Sequence, residues 1–153
     1  MHTRKCSTRL PTTLPTSSRF LGLQCGLSIG LARRSLAQAA FSPGETRGVL
    51  QAEIESVGRA MEEANIRLVT GIRSGAFRAR PSSLFELRIE LAEIVRCAIN
   101  LELQASGGRG FLRNAQLGFE RRWREAAFIP LVTPSLVQLK GELAQHKSRD
   151  KRA

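Results

Sequence analysis

Aspartate and histidine are nearly missing from this sequence of 153 residues. Asp150 is the only aspartate, and the two histidines, His2 and His146, lie at opposite ends of the chain. Catalytic triads, histidine-based metal sites and two-aspartate phosphoryl transfer need these residue types close together. The sequence therefore offers almost no material for such sites, and it predicts no catalytic residue and no metal site.

Cysteine is also scarce, and tyrosine is absent. Cys6, Cys25 and Cys97 are odd in number and share no metal-binding or redox spacing, so no disulfide framework is predicted. Reduced, cytosol-like surroundings are the simplest inference, and we predict a cytoplasmic location.

Acidic residues are missing from the whole chain before Glu45, and the formal net charge is +11. Such a charge attracts polyanions without saying which. The apolar run at 20–32 is too short to cross a bilayer, and Arg33 and Arg34 separate it from the cleavage-like 37–39, which is wrong for a secretory signal. Residues 1–40 are rich in Arg, Ser and Thr, which leaves a mitochondrial matrix location as the alternative.

Helical periodicity dominates the rest of the chain. Residues 1–16 contain two prolines and no periodicity, so we predict a tail or linker, then a helical bundle domain at 17–147 and a charged tail at 148–153. Two long seams step by three and four residues, as amphipathic helices do. They are Leu50, Ile54, Val57, Met61, Ala64 and Leu68, and then Leu84, Leu87, Leu91, Ile94, Ala98 and Leu101. The glutamates between them, Glu53, Glu62, Glu63, Glu90 and Glu93, are predicted to be solvated.

Glycine and capping signals divide these helices. Gly22, Gly26 and Gly30 form one stripe that permits close approach of another backbone. Capping boxes are predicted at 42–45 and 83–86. A helix stop is predicted at Gly107-Gly108, followed by a short helix at Gln116 to Phe128. A last helix is predicted to be capped by Thr133-Pro134 and to run through Leu136, Leu139 and Leu143. No strand period occurs, so the predicted fold is all-α, an antiparallel four-helix bundle with a short extra helix.

A basic cluster surrounds the only tryptophan, Trp123. Arginine contacts phosphates and aromatic rings stack on bases, so nucleic acid is one conceivable partner. Glu120 and Glu125 interrupt the cluster, which favours a mixed-charge helix face instead. Its arginines are Arg109, Arg113, Arg121, Arg122 and Arg124.

The segment Gln104-Ala105-Ser106-Gly107-Gly108-Arg109-Gly110-Phe111 carries a family resemblance, together with "GLSIGLARRSLAQAA" before it and "RRWREAAF" after it. Over residues 19 to 145 the chain resembles the C-terminal helical domain of the acyl-CoA dehydrogenase family, whose Q-x-x-G-G-x-G-F/Y segment contacts the ADP part of FAD held by a neighbouring subunit. The resemblance implies FAD contacts at Gln104, Gly107, Gly108, Arg109 and Ser135, a homo-oligomer or an upstream flavoprotein chain as partner, and fatty acid metabolism.

The chain departs from the family in its catalytic chemistry. Arg124-Glu125 stands where the family has Arg-Asp, and Thr133 stands where the family's usual catalytic glutamate opens a Glu-Gly-Thr turn. Without that base, and without the family's upstream domains, the isolated chain is predicted to be inactive, and an acyl-CoA-type substrate requires the missing domains.

Three functions stay open from the sequence. The first is the C-terminal domain of an acyl-CoA dehydrogenase-like or monooxygenase-like oxidoreductase. The second is a noncatalytic helical-bundle protein that oligomerises as a dimer or tetramer and binds no FAD. The third is a basic nucleic-acid binder. No membrane partner is predicted.

Overall fold

The computed structural model describes residues 16–41, 47–112 and 118–150. Its helices are α1 (Thr16–Phe41), α2 (Arg47–Ser74), α3 (Ala76–Ala79), α4 (Pro81–Ser106), α5 (Phe119–Phe128) and α6 (Leu136–Asp150). Short 3-10 turns follow α4 at Gly107–Phe111 and α5 at Ile129–Leu131. No strand occurs in these ranges, so the all-α prediction is confirmed. Helix α6 continues to Asp150, into the segment from residue 148 that was predicted to be a charged tail.

The core lies between α1, α2 and α4. Arg33 of α1 pairs with Glu62 of α2 at 3.7 Å, and a Cβ at Gly22 would lie 3.9 Å from Ile72 Cδ1, so α1 and α2 are antiparallel. Every residue of the two predicted seams is buried or half-buried. The seam of α1 consists of Leu21, Cys25, Ile29, Ala32, Leu36 and Ala39. Apolar surface removed from water along these three seams is the main stabilising contribution.

Helices α5 and α6 pack against α4. Phe119 and Ile129, at the two ends of α5, are buried, and α6 buries Leu139 with Leu136 and Leu143 half-buried. The predicted apolar positions of the last helix are therefore confirmed. Both helices pack on the same central helix, so residues of α4 position both α5 and α6.

The glycine stripe is only partly packed: Gly22 faces Ile72 of α2, whereas Gly26 and Gly30 have no helix against them within the described residues. Gly26 and Gly30 are exposed, and no heavy atom lies within 4 Å of a Cβ built at either position. Leu23 and Leu27 are exposed beside them, at 67% and 69%. At Gly26 and Gly30 the expected close approach is absent from the described residues because α1 turns its other face, from Leu21 to Ala39, toward the core.

Two predicted caps are wrong in detail. Helix α4 begins at Pro81, which needs no N–H at the first position, and Ser83 lies inside the helix and donates to the Arg80 carbonyl at 2.6 Å. Helix α6 is capped by Ser135 instead of Thr133: Gln138 N donates to Ser135 Oγ at 3.4 Å, and Ser135 N donates to Gln138 Oε1 at 2.7 Å. The box predicted at 42–45 lies outside the described residues.

Most of the predicted surface glutamates are exposed, in agreement with the sequence; Glu90 is half-buried and bonded to Arg67.

Within the described parts of the chain, no helix has both the length and the hydrophobicity needed to cross a bilayer.

Candidate functional site

The predicted site begins where α4 ends. Gly107 is the C-cap, and its N–H donates to the Leu103 carbonyl. Its φ of 57° and ψ of −153° fall in a region that is almost closed to residues with a side chain, which explains why the helix stops at a glycine. Ser106 Oγ donates to the Glu102 carbonyl at 2.6 Å in the last turn. The predicted helix stop is confirmed.

The 3-10 turn that follows has an open outer side and a packed inner side. Gly108 and Arg109 are exposed, and no heavy atom lies within 4 Å of a Cβ built at Gly107 or Gly108. Gly110 is buried, and a Cβ there would lie 3.1 Å from both the Phe119 ring and Ser106 Oγ. The backbone at Gly107-Gly108 can therefore be approached closely from outside, whereas Gly110 allows the turn to sit on α5.

An aromatic cluster joins this turn to α5. The rings of Phe111 and Phe119 meet edge to face, with centroids 5.3 Å apart and an interplanar angle of 85°. Phe119 in turn contacts Trp123, with ring centroids 5.7 Å apart. Edge-to-face geometry is a favourable aromatic arrangement, so these rings help to fix the turn relative to α5.

A buried ion pair joins α5 to the part of α4 that precedes the turn. Arg122 of α5 donates through Nε to both carboxylate oxygens of Glu102, at 3.1 and 3.0 Å, and through Nη2 to Oε1 as well. Both residues are buried. A two-pronged arginine–carboxylate pair fixes orientation as well as distance, so it joins the start of α5 to the last turns of α4.

Burial of Arg122 divides the predicted basic cluster. Arg122 faces the interior, and Arg121 bonds Glu125 at 2.7 Å on the same helix. Arg109 and Arg124 are exposed, and Arg113 lies outside the described residues. The interpretation of these arginines as one surface patch is therefore wrong for Arg122, because a buried carboxylate on α4 is its partner.

The predicted FAD contacts fall into two groups. Gln104 is exposed on the last turn of α4, next to Gly107, Gly108 and Arg109. Ser135 is located through its neighbour Thr133, two residues earlier. The Thr133 carbonyl accepts a 2.8 Å hydrogen bond from Gln24, and Gln24 in turn accepts a hydrogen bond from Arg88 of α4. Arg88 precedes Gly107 by 19 residues on α4, which corresponds to about 28 Å. Within one chain the structure does not bring Ser135 to the glycine turn.

The residues around Arg88 form a second polar centre, which the sequence analysis missed. Arg88 is fully buried between α1, α4 and the end of α5. It donates through Nε to Gln24 Oε1 at 3.1 Å and through Nη2 to the Ile129 carbonyl at 2.7 Å. Nη1 is buried without a hydrogen-bond partner among the described residues. A signal was present, since position 88 continues the spacing from Leu84 to Leu91, where a core residue is expected.

Burial governs the protonation of this centre. It lowers the pKa of Arg88, and it raises the pKa of the neighbouring Cys25 thiol to about 11, although the charge of Arg88 acts in the opposite direction on the thiol. Cys25 is therefore a neutral thiol at pH 7 and does not act as a counter-ion. The centre positions helices and offers no nucleophile.

Neither a metal-ligating cluster nor the family's usual glutamate is found in the described parts of this site. No cluster of three or more His, Cys, Asp or Glu side chains suited to a metal ion occurs within 16–41, 47–112 and 118–150. Thr133 contributes a carbonyl acceptor and a hydroxyl, and a hydroxyl is no base at neutral pH. No family model, curated protein or solved structure matches the chain.

Proposed function

We propose that this chain is the helical C-terminal domain of an acyl-CoA dehydrogenase-like flavoprotein, and that Gln104, Gly107, Gly108 and Arg109 contact the ADP part of FAD. The observation that carries the proposal is the Gly107-Gly108 turn, which is open on its outer side and packed on its inner side against Phe119. The finer fold that goes with this proposal is the family's antiparallel four-helix bundle with one short extra helix.

Electrostatics supports an anionic ligand at this turn, with one opposing contribution. Backbone without side chains lets phosphate oxygens approach the turn closely, although the Gly107 N–H already donates to the Leu103 carbonyl, and the net charge of +11 attracts anions. The C-terminal end of α4 carries partial negative charge, which disfavours a phosphate. Arg109 is exposed on the turn and supplies positive charge to offset it.

Ser135 lies far from the glycine turn within one chain, and this separation implies how subunits must be arranged around FAD. If both groups contact one FAD, the turn and Ser135 must come from different copies of the chain. We therefore propose a dimer or tetramer with FAD at the interface, or an upstream flavoprotein chain as partner. Thr133 replaces the family's base, so a binding role is assigned to this chain. Acyl-CoA dehydrogenation or monooxygenation, and fatty acid metabolism with it, would need groups from elsewhere.

The test is a titration of the purified chain with FAD, followed by flavin fluorescence, using Gly108→Asp and Gly108→Asn. The two side chains have nearly the same shape, and position 108 has open space, so folding should tolerate both. A carboxylate there should repel the diphosphate and weaken binding by tenfold or more, whereas asparagine should change it much less. Equal effects of both variants, or no FAD binding to the wild-type chain, would contradict the proposal.

A second function, a noncatalytic bundle that self-associates, is favoured by the exposed apolar face of α1. Leu23 and Leu27 flank Gly26 and Gly30 on that face, which would allow a second helix to pack closely. Sedimentation analysis of Leu27→Glu, with Val137→Glu on α6 as an equally exposed control, tests it. Under this function only Leu27→Glu should dissociate the oligomer, and FAD should not bind. An oligomer that survives Leu27→Glu contradicts the role of this face.

A further inference from the structure

A cleft of about 460 Å³ lies between α4, α5 and α6. It occurs where the two outer helices separate over the central one. Small-molecule sites are typically about 300–1,000 Å³, so this cleft is large enough for a compact ligand. Its apolar lining includes Ile89, Ala92, Ile99, Ala126, Pro130 and Leu136.

The charged side chains of the cleft come from two helices. Arg96 and Glu93 belong to α4, and Lys140 belongs to α6. Arg96 Nε donates to the Glu93 carboxylate at 3.0 and 2.9 Å. These bonds hold the pKa of Glu93 below its usual range, and the charge of Lys140 acts in the same direction. Lys140 forms no ion pair within 4.0 Å among the described residues.

Positive charge therefore exceeds negative charge at the mouth of an apolar cleft, by two groups to one. A cationic ligand would be repelled there, and an uncharged apolar ligand would gain nothing from the excess positive charge. A highly charged polyanion would gain nothing from the apolar lining. The ligand that satisfies both features has one apolar chain and one anionic head group.

We propose that this cleft binds an amphiphilic monocarboxylate, with its alkyl chain against the apolar lining and its carboxylate between Arg96 and Lys140. The proposal does not depend on FAD contact at the glycine turn, because none of the Gly107–Phe111 residues lines the cleft. The ligand is defined by this chemistry, a single alkyl chain that ends in a carboxylate.

The only tryptophan of the chain provides a direct reporter, since Trp123 lines the cleft. Octanoate and decanoate, kept below their micelle concentrations, should change its fluorescence in a saturable manner. Each buried methylene contributes about 0.8 kcal/mol, so decanoate should bind about fifteenfold more tightly than octanoate. 1-Octanol, with the same chain and no charge, should bind about tenfold more weakly than octanoate, and octylamine more weakly still.

Two variants and a control locate the binding. Lys140→Met should reduce the preference for octanoate over 1-octanol by at least fivefold and leave 1-octanol binding unchanged. Ala126→Leu should fill the cleft and weaken both ligands. Arg59→Met, an exposed cation on α2, should change neither. The proposal is overturned if the carboxylates give no saturable Trp123 signal, if alcohol and acid bind equally, or if Lys140→Met and Arg59→Met behave alike.

Discussion

Two arginines are buried in the described part of the chain, and they fasten the two ends of α5 to α4 by different means. At the start of α5, Arg122 meets the Glu102 carboxylate in a two-pronged ion pair. At its end, Arg88 of α4 meets neutral acceptors, the Gln24 amide and the Ile129 carbonyl. The partner of Arg122 carries a full negative charge, whereas the partners of Arg88 are uncharged polar groups.

The difference follows from what each end of α5 offers. A helix C-terminus has unpaired carbonyls and partial negative charge, so a guanidinium there is stabilised without a carboxylate. Gln24 extends the contact, because its Oε1 accepts from Arg88 while its Nε2 donates to the Thr133 carbonyl. The Arg88 centre therefore holds the α5–α6 connection, and the Arg122 pair holds the glycine turn.

The largest effect is expected from Glu102→Gln. It leaves the buried Arg122 cation without its counter-ion, and breaking a buried pair from one side costs about 3–5 kcal/mol. Unfolding in urea, followed by circular dichroism, should show this loss. Glu125→Gln, which removes the exposed partner of Arg121 on the same helix, should cost far less, because water screens this pair. Equal losses in the two variants would mean that burial does not distinguish these pairs.

A smaller effect should appear at alkaline pH through the thiol beside Arg88. The pKa of Cys25 is raised from its ordinary 9.0 to about 11 by burial. A group whose folded pKa is raised stabilises fully below its unfolded pKa, and that contribution is lost as pH rises through the folded pKa. Stability should therefore fall by up to about 2–3 kcal/mol between about pH 9 and pH 11.

Urea unfolding at pH 8 and pH 10.5 measures this effect, with Cys25→Ala as the variant that lacks the group. The wild-type protein should lose more stability between the two values than the variant does. Cys97→Ala is the comparison: burial raises the pKa of that thiol too, but Cys97 is only half-buried, so its removal should change the pH dependence less. An identical pH dependence in the wild-type protein and Cys25→Ala would show that the buried thiol does not titrate in this manner.

The smallest of these effects concerns the turn above Arg122. Gly107→Ala forces a side chain into a φ of 57° and should cost about 1–3 kcal/mol. Gly108→Ala meets open space at ordinary φ and should change stability by less than about 1 kcal/mol. Thermal unfolding of both variants checks the contrast. A larger loss at position 108 would contradict the described geometry of the turn.

The sequence predicted the elements that depend on periodicity. The seams of α2 and α4 could be located because apolar residues recur every three or four positions, and the α4 stop because glycine tolerates the required backbone. The buried face of α1 could not be predicted, since Leu21 and Leu23 are equally apolar and only the packing decides which of them is buried. The four-residue spacing placed Gly26 and Gly30 on one face of the helix, but it could not show that this face is exposed.

The buried polar centres were the least predictable part of the site. Arg122 lies among other arginines in "RRWR", so its sequence neighbours suggested a surface cluster, while its partner is 20 residues away on α4. Glu102 and Arg88 do continue the apolar spacing of α4, at positions where a core residue is expected. A charged residue in phase with a seam is therefore the signal that could have revealed both.

The most direct test of this account is a pair of double-mutant cycles in urea, one on Glu102→Gln and Arg122→Met and the other on Gln24→Met and Arg88→Met. The ion pair should show a coupling free energy of about 3 kcal/mol, because each single change leaves a buried charge unpaired. The Gln24–Arg88 contact should couple by about 1.5 kcal/mol, the lower end of the range for a hydrogen bond in which one partner is charged. Equal couplings, or a larger one for Gln24–Arg88, would contradict the conclusion that different interactions fasten the two ends of α5.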